Sequence, residues 1–171
     1  GNARVARMPG PPLLLIDKAY NIDGAQLEVA SGRSATIDYN VPEDAWYFDA
    51  DPTSAMPFVI LLEAALQPCG WLTAWQGANL SGERNTYFRN LGGKARYHQN
   101  VTPSTGTLTT RANQTSVSNA AGMSLHFFDY TVRSGEDVIF EGNTYFGYFT
   151  DEALADQKGL PLTEEEEHRR I

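Results

Sequence analysis

The sequence predicts an α+β fold in which one long, apolar helix lies against an antiparallel sheet. Three observations predict it. Across residues 56–76, Phe58, Leu61, Leu62, Ala65, Leu66, Cys69, Leu72 and Trp75 recur at three- and four-residue spacing, the period of a helix apolar almost all round. Downstream, four stretches rich in Thr, Val, Tyr and Phe alternate with short turn sequences. The length of 171 residues, 42% of them hydrophobic, suits one domain with its own core.

Taken in order, Arg7-Met-Pro-Gly-Pro-Pro12 is an extended lead-in, because proline fixes φ and disfavours helix in the residue before it. Gly1-Asn2-Ala3 reads as a cloning remnant, and residues 1–6 stand outside the expected fold. Residues 13–17 read as a short buried segment. Strands are expected over 19–22 and 26–37 around the turn Asp23-Gly24. In the helix, Pro57 suits the first turn and Gly77 the stop. Pro68 removes the N–H that would bond the Ala64 carbonyl and is expected to kink the helix. Strands follow over 86–100, 105–117, 122–133 and 138–149, with Leu125, Phe127 and Phe140 on the expected buried face. Strands, one buried helix, then strands places the helix against the sheet, in a domain spanning 7–150. Residues 151–171 hold seven acidic and three basic side chains. They read as an acidic linker or docking segment with a helical turn over 152–157, or as a solvated tail.

The formal net charge of −8 argues against nucleic acid as a partner, since phosphate backbones are bound through Lys and Arg. A single Cys69 cannot close an internal disulfide, so nothing points to an oxidising compartment. His98, His126 and His168 lack the spacing of a metal motif, and no metal is expected. The early apolar run at 13–16 is too short for a signal or a membrane span, so a cytoplasmic domain is expected.

Glu63 is the first candidate for chemistry. It is a carboxylate within an apolar helix, and Gln67, four residues on, shares its face. Burial of a carboxyl favours its neutral form, which suits general acid–base work near neutral pH. A solvated Glu at the helix margin is the competing reading. Asp49 and Asp51, after Trp46-Tyr-Phe48, read first as caps of the turn before the helix. His98 and His126 read as packing residues of strands, His168 as exposed, and Cys69 as a small core residue. Gly92-Gly93 reads as a turn or bulge rather than a phosphate loop, since no helix follows.

These segments, in this order, resemble the 3-hydroxyacyl-ACP dehydratases of the hotdog fold, specifically the 3-hydroxydecanoyl-ACP dehydratase/isomerase branch. The markers are Arg7-Met-Pro with Leu13-Leu-Leu-Ile-Asp17, Trp46-Tyr-Phe48, Met56-Pro57, Leu62-Glu-Ala-Ala-Leu-Gln67 and Gln99-Asn-Val-Thr-Pro103. The run from Ala55 to Trp71 and Phe88-Arg-Asn-Leu-Gly-Gly93 look most like dehydratase domains of polyunsaturated fatty acid synthases, which are built like polyketide synthases. The resemblance implies a central helix wrapped by a curved antiparallel sheet and paired with a second hotdog, as a homodimer or a tandem double hotdog. It implies a lyase that turns 3-hydroxyacyl-ACP into 2-enoyl-ACP. No bound cofactor is implied; the substrate rides on the phosphopantetheine of an acyl carrier protein.

Residue by residue, the resemblance puts the acid at Glu63, where Asp is common, and its accompanying amide at Gln67. The backbone N–H that polarises the thioester falls at Phe58, where the family usually has glycine, with Met56, Pro57 and Val59 beside it as substrate-binding positions. The family's histidine position falls on Asp51. This chain therefore supplies Glu63 to a composite site whose histidine comes from another hotdog, or it is a non-catalytic, acyl-binding or structural hotdog. A hotdog thioesterase that activates water through Glu63 or Asp51 is a third reading.

Overall fold

The helix α1 (Phe58–Trp75) forms where the sequence places its apolar period, and it continues through Pro68 without a break. The structure, a computed structural model, describes residues 5–50, 52–80, 85–120 and 122–155. Pro57 takes the N-cap position rather than the first turn, and its carbonyl accepts from the N–H groups of Ile60 and Leu61. At the other end Gly77 has φ +76°, a value glycine adopts without a Cβ penalty. Its N–H bonds the Ala74 carbonyl, and that of Ala78 bonds Thr73. This paired arrangement satisfies carbonyls that the end of a helix leaves open.

Among the described residues, six strands make one antiparallel sheet. They are β1 (Lys18–Tyr20), β2 (Ser34–Asn40), β3 (Tyr87–Tyr97), β4 (Thr107–Ala120), β5 (Met123–Ser134) and β6 (Asp137–Phe149), in the spatial order β1-β2-β4-β5-β6-β3. A short helix α2 (Asp151–Ala155) follows, where the sequence predicts a turn over 152–157. The rest of the acidic tail, with His168, lies outside the described residues.

The helix contacts fall chiefly on β4, β2 and β5. Leu61, Ala65, Cys69 and Leu72 are buried there with Ile37, Leu108, Ala112, Phe128 and Val132. Full burial of a leucine such as Leu61 or Leu72 is worth about 1.5–3 kcal/mol, so this seam anchors the helix. By length and composition alone α1 could cross a membrane, but half of it is buried inside the protein, which accounts for its apolar character.

Three expectations are corrected. Of the strand predicted over 26–37 only residues 34–37 are strand, and β2 runs on to Asn40. The residues before them form a loop pinned to the helix end: the Leu27 N–H bonds the Trp75 carbonyl, and the Ala30 N–H bonds Gln76 Oε1. Second, β5 buries His126, Phe128, Tyr130 and Val132, leaving Leu125 and Phe127 on the opposite face and half-buried. Third, in the segment at 13–17 only Leu15 is fully buried.

Candidate functional site

Because α1 lies toward the β2–β4–β5 side, space remains between it and the β6–β3 side of the sheet. Two cavities occupy it. The first, of about 370 Å³, holds Glu63 and Gln67 on one wall and aromatic residues of the sheet on the other. The second, of about 350 Å³, extends toward the start of α1 and is lined there by Phe58 and Leu62. Leu66, Asn90 and Thr144 border both, so the cavities adjoin along the helix.

Glu63 is half-buried at this wall rather than enclosed in the core. Gln67 is almost fully buried and uses both ends of its amide. Its Oε1 accepts the Leu15 N–H at 2.8 Å, and its Nε2 donates to the Leu13 carbonyl at 2.6 Å and to Glu63 Oε1 at 2.9 Å. The extended lead-in thereby fixes the amide, and the amide fixes one carboxylate oxygen. The same lead-in closes the cavity, since Arg7, Met8 and Pro9 line it across from the sheet. Gly70 faces the same lead-in, where a Cβ would make ordinary contact with Met8 Sδ at 3.8 Å.

On the facing wall, Phe88 and Asn90 of β3 register with Tyr148 and Phe146 of β6. The Tyr148 hydroxyl shares a 2.8 Å hydrogen bond with Thr73 Oγ1, and burial raises its pKa, so it stays protonated. The cavity is thus apolar at its walls and polar where Glu63, Gln67, Asn90 and Thr144 meet, the lining expected of a site that orients a largely apolar ligand.

The other candidates are dispersed. Phe58 is half exposed and turns its ring edge-on to Phe140 at 5.8 Å, in the second cavity. Val59 is exposed and lines neither cavity. Met56 is buried in the core, its N–H bonded to the Val101 carbonyl, and Pro57 caps the helix. The Phe58 and Val59 N–H groups lie at the helix start, which has no side-chain cap. Asp49 is exposed, and Asp51 lies outside the described residues.

The two described histidines differ. His98 is a surface residue paired with Glu141 at 3.0 Å, not a packing residue. His126 is fully buried on the inner face. Its Nδ1 is 2.8 Å from Gln114 Nε2 and its Nε2 is 3.0 Å from Ser124 Oγ, and burial lowers its pKa to about 4. Gln114 in turn accepts from Gln76 Nε2 at 2.5 Å, so Gln114 Nε2 donates to His126 Nδ1 and the imidazole proton sits on Nε2. Cys69 is a buried core residue, its thiol pKa pushed up by burial.

Sequence reasoning missed Met8, Asn90, Thr144 and Tyr148, which line the same cavity as Glu63. The lead-in carried a signal only through the family marker Arg7-Met-Pro. Asn90 and Thr144 carried none, because their approach depends on the β3–β6 register, which a bulge between Asn90 and Gly92 shifts.

Known proteins share both the sequence pattern and the architecture. The FabA-like domain family matches residues 8–143. One component of a polyunsaturated fatty acid synthase from Thraustochytrium sp. is 28% identical over 169 residues. That match takes in 93% of this chain but only 11% of the relative, so the chain spans about a tenth of that protein's length. Among solved structures, the dehydratase heterocomplex ApeI:P from Xenorhabdus doucetiae has a TM-score of 0.58 at 14% identity, over 95% of this chain and 92% of that one. A mutant of the fluoroacetyl-CoA-specific thioesterase FlK has a TM-score of 0.55 at 16% identity, over 72% of this chain and 98% of that one. At these identities the solved structures show a shared hotdog fold.

Proposed function

The chain belongs to the FabA-like domain family of hotdog proteins, and on that premise we propose that it is a dehydratase domain of a fatty acid or polyketide synthase that supplies Glu63 to a site shared with a second hotdog. The substrate is a 3-hydroxyacyl chain on the phosphopantetheine of an acyl carrier protein. The observation that carries this reading is the held carboxylate: Glu63 borders an apolar cavity while Gln67, locked by Leu13 and Leu15, donates to its Oε1. Likeness to a polyunsaturated fatty acid synthase component and to a dehydratase heterocomplex supports the reaction class and the second hotdog.

In this mechanism a base from the other hotdog removes the proton at C2 of the substrate. The C2–H electrons form the C2–C3 double bond as the C3–O bond breaks, and Glu63 protonates the departing hydroxyl, which leaves as water. Gln67 occupies Oε1, leaving Oε2 to carry that proton. The Phe58 N–H at the start of α1 polarises the thioester carbonyl, as an uncapped helix N-terminus does for developing negative charge. The Phe58 ring leans onto Phe140, to the side of the second cavity.

The test is dehydration of 3-hydroxyacyl-ACP by the chain together with its second hotdog, followed by the absorbance of the enoyl thioester. Glu63→Gln should lower kcat about 10²–10⁴-fold, the range for a positioned acid. Unchanged turnover would overturn the assignment.

One observation favours a second reading, an acyl-binding hotdog without catalysis: no histidine borders either cavity among the described residues. In that case the assembled pair shows no turnover, yet a 3-hydroxyacyl-pantetheine analogue still raises Tm through binding to the folded state.

A further inference from the structure

Most polar side chains lining the first cavity are already paired. Gln67 uses both ends of its amide, on Leu13, Leu15 and Glu63 Oε1. The Thr73 hydroxyl donates to the Gly70 carbonyl at 2.8 Å, so Tyr148 gives its own proton to Thr73 Oγ1. Thr144 Oγ1 donates to the Gly92 carbonyl at 3.2 Å and keeps only its lone pairs. Arg7, on the exposed lead-in, offers donors alone. That leaves Glu63 Oε2 and the Asn90 amide, whose donor and acceptor have no hydrogen-bond partner among the described residues.

The place of Asn90 matters as much as its free amide. It registers with Phe146 of β6, and opposite residues of antiparallel strands share a face, so its side chain lies on the inner face with that buried ring. It borders both cavities. Beyond it on the same face β3 presents Gly93 and Ala95, opposite Thr144 and Gly142, so the wall of the second cavity is little more than backbone there. With the thioester carbonyl at the Phe58 N–H in the second cavity and Glu63 on the wall of the first, C3 of the substrate falls where the two adjoin. Asn90 is the amide at that junction.

We propose that Asn90 contacts the hydroxyl that leaves: its Oδ1 accepts the hydroxyl proton while Glu63 Oε2 presents its own proton to the hydroxyl oxygen. This rests on the reading of the chain as a dehydratase domain, and adds the group that aims the C3–O bond at Glu63. A hydroxyl has one proton to give and lone pairs to receive, so the two side chains satisfy it from both sides. When the C3–O bond breaks, its electrons go to the oxygen, which takes the Glu63 proton and departs as water. The original hydroxyl proton stays on that oxygen, bonded to Asn90 Oδ1 throughout, and Asn90 itself transfers no proton. A saturated acyl chain makes neither bond, so Asn90 also selects for the 3-hydroxyacyl form.

Titration calorimetry tests it, on the chain together with its second hotdog. The probes are two acyl-pantetheine amides, one bearing the 3-hydroxyl and one saturated; nitrogen in place of the thioester sulfur leaves the C2 proton too weakly acidic for elimination. Wild type should bind the hydroxylated probe more tightly. Asn90→Leu should cut that preference about 3–10-fold, the value of one net hydrogen bond between neutral groups, and bind the saturated probe as before. A preference that survives in Asn90→Leu overturns the proposal, as does a wild type that binds both probes alike. Equal losses for both probes also overturn it, since they put Asn90 on the carbonyl that the two share. Should Asn90→Leu fail to fold, Asn90→Ala is read by the same ratio. No turnover is involved, so a failed ratio beside an intact Glu63→Gln effect removes the Asn90 contact and leaves the dehydratase reading standing.

Discussion

Gln67 donates to Glu63 Oε1 at 2.9 Å while bridging the backbone of Leu13 and Leu15, so the orientation of the carboxylate is set by a segment some 50 residues earlier in the chain. The amide belongs to the architecture and the carboxylate to the cavity, and the two should respond differently to substitution.

Gln67→Met keeps the shape but strands the buried Leu15 N–H, at a cost of about 1–3 kcal/mol for an unsatisfied buried donor. Glu63→Gln, at the cavity margin, should change stability by less than about 0.5 kcal/mol. Urea denaturation of both variants checks this; equal losses would mean that Glu63, too, is a structural residue.

His126 should make the fold acid-sensitive. Burial depresses its pKa from 6.5 to about 4, so above pH 6.5 it is neutral in both the folded and the unfolded chain and costs nothing. Between pH 6.5 and 4 the unfolded chain takes up a proton that the folded one refuses, and stability falls. Below about pH 4 both states are protonated and the loss is complete. At about 1.36 kcal/mol per unit the total is about 3 kcal/mol. In His126→Gln the pH dependence of Tm across this window should flatten; an unaltered slope would assign the sensitivity to other groups.

Gly93 sits where two backbones close together. A Cβ there would lie 2.2 Å from the Asn143 carbonyl oxygen, and no flexible side chain can yield to it. Gly93→Ala should overpack the β3–β6 ladder by about 1–3 kcal/mol, a fall in Tm of about 3–10 °C. Gly10→Ala, with nothing within 4 Å, is the control and should leave Tm nearly unchanged. A thermal melt of the two variants decides; similar Tm values would show that β3 can move away from β6.

Much of the fold was legible because its causes are local. The three- and four-residue spacing marked α1, and Gly77 stops it at a φ that glycine adopts freely. Turn residues separated β3, β4, β5 and β6 within a few positions of their observed ends. The pairing of Glu63 with Gln67 was legible too, since residues four apart on a helix are neighbours whatever surrounds them.

The failures have one cause, competition from distant parts of the chain. Residues 26–33 carry a strand-like composition, but bonds from Leu27 to Trp75 and from Ala30 to Gln76 hold them as a loop, with Leu27 at φ +63°. On β5, hydrophobicity favoured Leu125 and Phe127 for the core. The register instead turned His126 inward, where Gln114 and Ser124 satisfy both ring nitrogens and remove the penalty of burying them.

The sequence by itself thus determined an α+β chain with one apolar helix, a run of antiparallel strands, and a carboxylate–amide pair on the helix. Only the tertiary structure decided that this pair borders a cavity closed by residues 7–9 and faced by Phe88, Asn90 and Thr144. Helical neighbours follow from the 3.6-residue turn, whereas walls assembled from the lead-in, β3 and β6 depend on strand register and on long-range hydrogen bonds that local sequence does not encode.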